Sequence, residues 1–132
     1  MAEIHVNWIG EKNFVAIDST QHSAVLSPPG GIGVKPSEGL LLALASCACV
    51  DVVEIIAKQR ATLLALNVVV TAEQDSEPPW KFQCIHLHFN ARAEKLKAEQ
   101  FQRAVDLALN KYCSVRASLH PDIAVSFEAV LE

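Results

Sequence analysis

Positive charge is scarce in this chain, above all in its first half. The 132 residues carry 11 Lys and Arg against 15 Asp and Glu, which gives a net charge of −4. Before Lys58 only Lys12 and Lys35 are cationic, and no arginine precedes Arg60. Proteins that bind nucleic acid or anionic membranes display a basic stripe. We therefore expect no nucleic-acid partner and no membrane partner.

The sequence also shows neither the pattern of a targeting segment nor that of a membrane-spanning segment. The N-terminus reads Met-Ala-Glu-Ile-His-Val and lacks the basic region and apolar stretch of a signal peptide. The uncharged run from Gly39 to Val50 has twelve residues, fewer than a bilayer requires. We expect one domain over residues 1–132, located in the cytoplasm and large enough to bury a core.

The four cysteines, at positions 47, 49, 84 and 113, include no Cys-x-x-Cys pair. Structural disulfides are rare in a reducing cytosol, so these cysteines are core residues, catalytic thiols or some of each. Cys47 and Cys49 would point about 200° apart on a helix, and we interpret Cys49 as a core residue. Cys47 and Cys113 could meet only through the fold. They are either two small buried side chains or a redox pair.

Other chemical motifs are weak. Cys84, His86 and His88 alternate on a predicted strand and are possible zinc ligands. Side chains two apart on a strand form a nearly flat row, so a solvated strand face is favoured over a metal site. Gly30-Gly-Ile-Gly33 lacks the Lys-Ser/Thr of a phosphate loop. Ser46 lacks the signature of an activated nucleophile.

Hydrophobic periodicity predicts an α+β protein in the order β-β-β-α-β-β-α-β. The expected strands are Glu3–Ile9, Phe14–Ile17, Ala24–Leu26, Leu64–Glu73, Trp80–Ala91 and Ile123–Leu131. The expected helices are Ser37–Arg60, with Ser37 as N-cap, and Glu99–Tyr112. Within Trp80–Ala91 the apolar positions change from even to odd numbers, which predicts a β-bulge.

The first predicted helix is apolar on every face until Asp51. A helix of this kind needs cover on all sides, and one small sheet covers only one of them. The simplest arrangement is a homodimer in which two such helices pack together, each backed by a sheet.

Two segments resemble the cysteine motifs of the OsmC/Ohr superfamily. Pro36-Ser-Glu-Gly-Leu-Leu-Leu-Ala-Leu-Ala-Ser-Cys47 resembles the segment that carries the reactive cysteine on a central helix. Lys111-Tyr-Cys113-Ser-Val-Arg-Ala-Ser-Leu119 resembles the second-cysteine motif, of the type Cys-Pro-Val-Ser. Within this superfamily the chain is most similar to the YhfA-like branch. The similarity lies in the segments Asp51-Val-Val-Glu-Ile-Ile, Ile85-His-Leu-His-Phe and Arg103-Ala-Val-Asp-Leu.

The resemblance implies an intertwined homodimer with two long central helices. It implies that Cys47 is the peroxidatic thiol and Cys113 the resolving thiol in the reduction of an organic hydroperoxide. Cys47 would become a sulfenic acid and then a disulfide, which an external dithiol reductant reopens. No metal, flavin or nicotinamide cofactor is implied. The alternative is a non-catalytic OsmC-fold dimer that binds a small apolar ligand or senses oxidants through its thiols.

The chain departs from the resembling peroxidases in two ways. In those proteins a glutamate follows the motif proline and works with an arginine on the N-terminal strands. Here Ser37 follows the proline, Glu38 is shifted by one place, and the first strands contain no arginine. Glu38 is therefore only a possible supporting residue.

Activation of Cys47 is the open question of the sequence. A nucleophilic cysteine needs a lowered pKa, yet Asp51 and Glu54 fall on the same side of the helix and are expected to raise it. Some cation must then be supplied by the fold. Arg116 is the best local candidate, and its alternative role is a solvated surface charge.

Overall fold

The computed structural model describes residues 1–132 as two compact units, Met1–Leu42 and Ala43–Glu132. The long helix α1, Pro36–Lys58, runs through the boundary between them. The fold class is α+β, as predicted, with two three-stranded sheets. The single domain expected over residues 1–132 stays a prediction.

The first unit contains one antiparallel sheet. Its strands are β1 His5–Trp8, β2 Phe14–Ile17 and β3 Ser23–Leu26, in that spatial order. Gly10 in the first turn has a φ of 109°, which favours glycine because it lacks a Cβ atom. All three strands were predicted, the first from the alternation of apolar residues and the other two as short strands after a turn.

Helix α1 begins one residue earlier than predicted. Pro36 occupies the first helical position, where its missing N–H costs nothing and its fixed φ suits the helix. Ser37 therefore lies inside the first turn, and its prediction as the N-cap is wrong. Lys58 ends the helix in place of the predicted Arg60, which has a φ of 60° that the helix cannot continue.

Two stripes of α1 differ in burial. Leu44, Ala48, Val52 and Ile56 recur at the four-residue spacing of one helix face and are at most 1% exposed. On the opposite face Leu42, Val50 and Val53 remain 46–60% exposed. One chain thus covers only one side of α1.

By length and composition alone, α1 could also cross a membrane. The twelve-residue uncharged run is part of a helix of 23 residues, so the length argument from the sequence was too narrow. Only 22% of the most apolar window of this helix is buried in one chain.

The second unit contains a mixed sheet in the order β4 Thr62–Gln74, β5 Phe82–Glu94 and β6 Ala124–Leu131. Strands β4 and β5 are antiparallel, whereas β5 and β6 are parallel. Glu73 pairs with Cys84 and Gln74 with Phe82, which leaves Gln83 as an extra residue. The predicted bulge is confirmed, and the buried phase changes from Phe82 to Ile85 across it.

The second predicted helix is divided in the structure. Helix α2 covers Ala98–Leu107 and continues as a π-helical turn over Ala108–Tyr112. A short helix α3, Ser114–Ser118, follows and was not predicted. The apolar spacing runs on through the π turn, so periodicity alone does not show it. Buried residues of this region are Phe101, Ala104, Val105, Ala108 and Leu109.

Candidate active site

Cys113 lies between the π-helical turn and α3. Its backbone is extended, with φ −73° and ψ 109°, and it is the N-cap of α3. The first amides of a helix have no partner within it. The backbone N–H of Arg116 donates to Cys113 Sγ over 3.3 Å. The Cys113 sulfur therefore accepts the capping hydrogen bond that a side-chain oxygen accepts in most N-caps.

Cys47 of α1 meets this segment. Its Sγ lies 4.0 Å from Ser114 Oγ, and the Cys113 thiol is close enough to lower the pKa of the Cys47 thiol. The Cys113 thiol also donates to the backbone carbonyl of Leu44 over 4.0 Å. The structure thus brings together the two predicted thiols from opposite ends of the second unit, and both are free thiols in it.

Several donors lower the pKa of Cys47. Burial raises the pKa of this thiol, but hydrogen bonds from the Val115 backbone, the Cys113 thiol and the Ser114 hydroxyl and backbone outweigh it. The net pKa of Cys47 is below its ordinary value. The backbone at the start of α3 therefore acts on both sulfurs: Arg116 acts on Cys113, Ser114 acts on Cys47, and Val115 acts on both.

The pKa of Cys113 moves in the opposite direction. Burial raises it, and the adjacent Cys47 thiol raises it further, against the lowering effect of the Arg116 and Val115 backbone. Cys113 is 3% exposed, while Cys47 is half-buried. Of the two, Cys47 is the thiol that ionises first and that solutes reach.

The raised pKa expected for Cys47 is wrong, whereas the role of Arg116 as a supporting cation stays a prediction. Asp51 and Glu54 were expected to raise its pKa, yet the strongest influences are burial and the donors of residues 113–115, with a net lowering. Arg116 was the candidate cation, but its contact with the site is through its backbone N–H to Cys113. Its Nε atom is buried without a hydrogen-bond partner. The groups that lower the pKa of Cys47 are neutral.

The other candidate residues have different surroundings. Glu38, in the first turn of α1, pairs with Lys35 at 3.9 Å, and both side chains are exposed. Cys49 is half-buried, and burial raises the pKa of its thiol. Cys84 is also half-buried, on β5. The structure gives neither Cys49 nor Cys84 a contact with the thiol pair.

Sequence reasoning missed Ser114 and Val115. The sequence offered one signal for this contact. Ser114 occupies the position where the resembling second-cysteine motif has proline. Proline lacks both the N–H and the hydroxyl that Ser114 directs at Cys47.

An open cavity of about 370 Å³ lies near the site. Its lining includes Asp51, one turn after Cys47, and Tyr112, next to Cys113, together with Glu54, Ile55, Lys58, Gln59 and Leu107. Five of the seven lining side chains are charged or polar, namely Asp51, Glu54, Lys58, Gln59 and Tyr112. The binding of a small apolar ligand, the alternative given above, stays a prediction.

The chain is similar to a known protein family. Residues 29–128 match the family model described as OsmC-like protein. YhfA of Escherichia coli K12 is 33% identical over 133 aligned positions, which cover 97% of this chain and 98% of the relative.

Solved structures share the fold. An OsmC-like protein from Mycoplasma pneumoniae superposes with a TM-score of 0.85 at 19% identity, over 99% of this chain and 96% of that one. OhrB of Bacillus subtilis, an organic hydroperoxide resistance protein, superposes with a TM-score of 0.63 at 16% identity, over 100% and 98% of the two chains.

Proposed function

The chain belongs to the OsmC family, and from this premise we propose that it is a thiol-dependent peroxidase that reduces organic hydroperoxides. The observation that supports the proposal is the neighbouring pair of Cys47 and Cys113, in which donors from residues 113–115 lower the pKa of Cys47. An ionised, accessible thiol beside a second thiol is the arrangement that this chemistry needs.

The reaction begins at Cys47. Its thiolate attacks the terminal oxygen of the hydroperoxide, the O–O bond breaks, and the alkoxide takes a proton and leaves as an alcohol. Cys47 is oxidised to a sulfenic acid. Cys113 then attacks the Cys47 sulfur, water leaves, and a disulfide joins the two. An external dithiol reduces this disulfide and is itself oxidised, which returns both thiols.

Cys113 suits the resolving step. Its raised pKa keeps it protonated while Cys47 is ionised, so the two sulfurs do not repel each other at rest. Its bond to the Leu44 carbonyl and to the Arg116 amide holds the sulfur beside Cys47. When Cys47 becomes a sulfenic acid, its negative charge is lost, and Cys113 ionises more easily.

Ser114 replaces part of the missing cation. The resembling peroxidases use an arginine and a glutamate, whereas this chain directs the Ser114 hydroxyl and backbone N–H at Cys47. Hydrogen bonds to the charged form lower a pKa, as a cation does. The reaction then needs no metal, flavin or nicotinamide at the thiols.

The test is steady-state consumption of tert-butyl hydroperoxide with a dithiol reductant. Cys47→Ser should reduce turnover by at least about a thousandfold, because the nucleophile is removed. Cys49→Ser is the matched control on the same helix and should retain parental turnover. Parental turnover in Cys47→Ser would contradict the proposal.

A second candidate is oxidant sensing by a non-catalytic dimer. It is favoured by one observation, that the donors which lower the pKa of Cys47 are neutral. The same assay separates the two candidates, because a sensor should show a slow, stoichiometric oxidation of its thiols and no catalytic turnover.

We also propose that the protein is a cytoplasmic homodimer. Leu42, Val50 and Val53 form an exposed apolar stripe on α1, and a second copy of the same helix would cover it. The four free thiols fit a reducing compartment. Sedimentation velocity should give twice the mass of a 14.4 kDa chain. Val50→Glu should shift it to the monomer, whereas Val69→Glu, at an equally exposed valine on β4, should not.

A further inference from the structure

Two histidines lie on one face of the second sheet, away from the thiols. Alternate residues of β5 are almost fully buried, namely Ile85, Leu87 and Phe89. Because successive side chains of a strand point to opposite faces, His86 and His88 lie together on the other face, where both are half-buried.

A carboxylate from the neighbouring strand completes the group. In the parallel pair of β5 and β6, Glu128 lies directly beside His88 and Ser126 beside His86. Glu128 Oε1 is 3.0 Å from His86 Nε2, and Glu128 Oε2 is 3.9 Å from His88 Nδ1. One ligand atom from each of the three residues lies within 4.8 Å of the other two.

These separations are close to those around a bound metal ion. Zn²⁺ binds imidazole nitrogen and carboxylate oxygen at about 2.0–2.2 Å, so neighbouring ligand atoms of a tetrahedral site are about 3.4 Å apart. The sequence argument considered only the flat row of β5, in which His86 and His88 cannot surround an ion. Glu128 lies on the neighbouring strand β6, so its carboxylate would approach a bound ion from a different direction than the two histidines.

A further contact orients His86. Its Nδ1 is 2.7 Å from Ser126 Oγ, which leaves Nε2 directed at Glu128. A histidine that binds a metal through one nitrogen usually donates the other N–H to an outer partner, which fixes the tautomer and the ring. Ser126 has the position of that partner.

We propose that His86, His88 and Glu128 bind one divalent transition-metal ion of the Zn²⁺ class on this face of the sheet. Two neutral imidazoles and one carboxylate are a ligand set that Zn²⁺ accepts, with water in the fourth position. Ser126 is a positioning residue that acts through His86. The site is independent of the thiol reaction.

The test is isothermal titration of Zn²⁺ into untagged, chelator-treated full-length protein. The parent should bind one equivalent. Glu128→Gln and His88→Asn should each weaken binding by at least about tenfold, and Ser126→Ala by about tenfold, which is the usual effect of removing an outer partner. All four residues are at least partly exposed, so these variants should fold. NMR of the parent should show zinc-dependent shifts of the His86 and His88 ring signals.

Two controls separate this site from other zinc ligands. His120, whose Nδ1 lies 3.7 Å from Asp122 Oδ2, forms a two-residue pair elsewhere, and His120→Asn should bind as the parent does. Cys47→Ser should also bind one equivalent. The proposal fails if the parent takes up no zinc, if binding survives in Glu128→Gln and His88→Asn, or if it is lost in Cys47→Ser.

Discussion

Cys47 and Cys49 lie two residues apart on the same helix, yet the pKa of one is lowered and that of the other is raised. Both are half-buried. Burial raises the pKa of both thiols, and they differ in the donors that face them. Cys47 meets the start of α3 with its free amides and the Ser114 hydroxyl, whereas burial without such donors acts on Cys49. The helix that carries a thiol does not decide its reactivity, because the charged form is stabilised only by the groups that point at it.

The contrast between Cys47 and Cys49 can be tested by alkylation, for which the larger effect is expected. Iodoacetamide should modify Cys47 at least about tenfold faster than Cys49 at neutral pH, because the thiolate is the nucleophile. With a lowered pKa, Cys47 should reach half of its maximal rate at a lower pH than a free thiol. Cys49, with a raised pKa, should do so at a higher pH. Peptide mapping by mass spectrometry across a pH series measures both.

The pH midpoint is the decisive quantity in that experiment. Limited access slows Cys49 at every pH but leaves its midpoint where ionisation sets it. Midpoints that coincide, or a lower one for Cys49, would show that the donors at α3 do not distinguish the two thiols.

A smaller effect is expected at Ser114. Ser114→Ala removes the hydroxyl and should raise the alkylation midpoint of Cys47, with about a twofold to threefold loss of rate at neutral pH. This loss of rate lies at the low end of the range for removing one hydrogen bond, because Cys47 and Ser114 are partly exposed. Ser114→Pro also removes the N–H, at a helix position that tolerates proline, and should shift the midpoint further.

The matched control for this prediction is Ser118→Ala. Ser118 belongs to the same short helix, but its hydroxyl donates to the Ser114 carbonyl over 2.8 Å. Its removal should leave the midpoint of Cys47 unchanged. A shift of equal size in Ser118→Ala would mean that α3 as a whole, and not Ser114, stabilises the thiolate.

Much of the fold could be predicted from the sequence because the signals are local. Alternation located the strands to within a few residues, and the change of phase after Phe82 located the bulge at Gln83. The end of the second helix could not be located, because apolar spacing is similar in an α-helix and a π turn. The five-residue helix α3 carries too short a pattern to be visible.

The site was predictable in its thiols but not in their surroundings. Cys47 and Cys113 follow from their motifs, whereas the pKa of Cys47 depends on which groups approach it in space. Counting charges along α1 gave the wrong direction, because groups of residues 113–115, far along the chain, lower the pKa of Cys47. The zinc-type group was missed for a similar reason, since Glu128 lies forty residues after His88.

The sequence by itself determined the α+β class, the family and the two thiols, because periodicity and motifs are properties of neighbouring residues. The tertiary structure decided the opposite directions in which the pKa values of the two thiols are shifted, because it places the start of α3 beside them. It also decided that His86 and His88 share a carboxylate, through the parallel register of β5 and β6. Hydrogen bonds and ligand distances extend over only a few ångströms, so they depend on where the chain brings distant residues together.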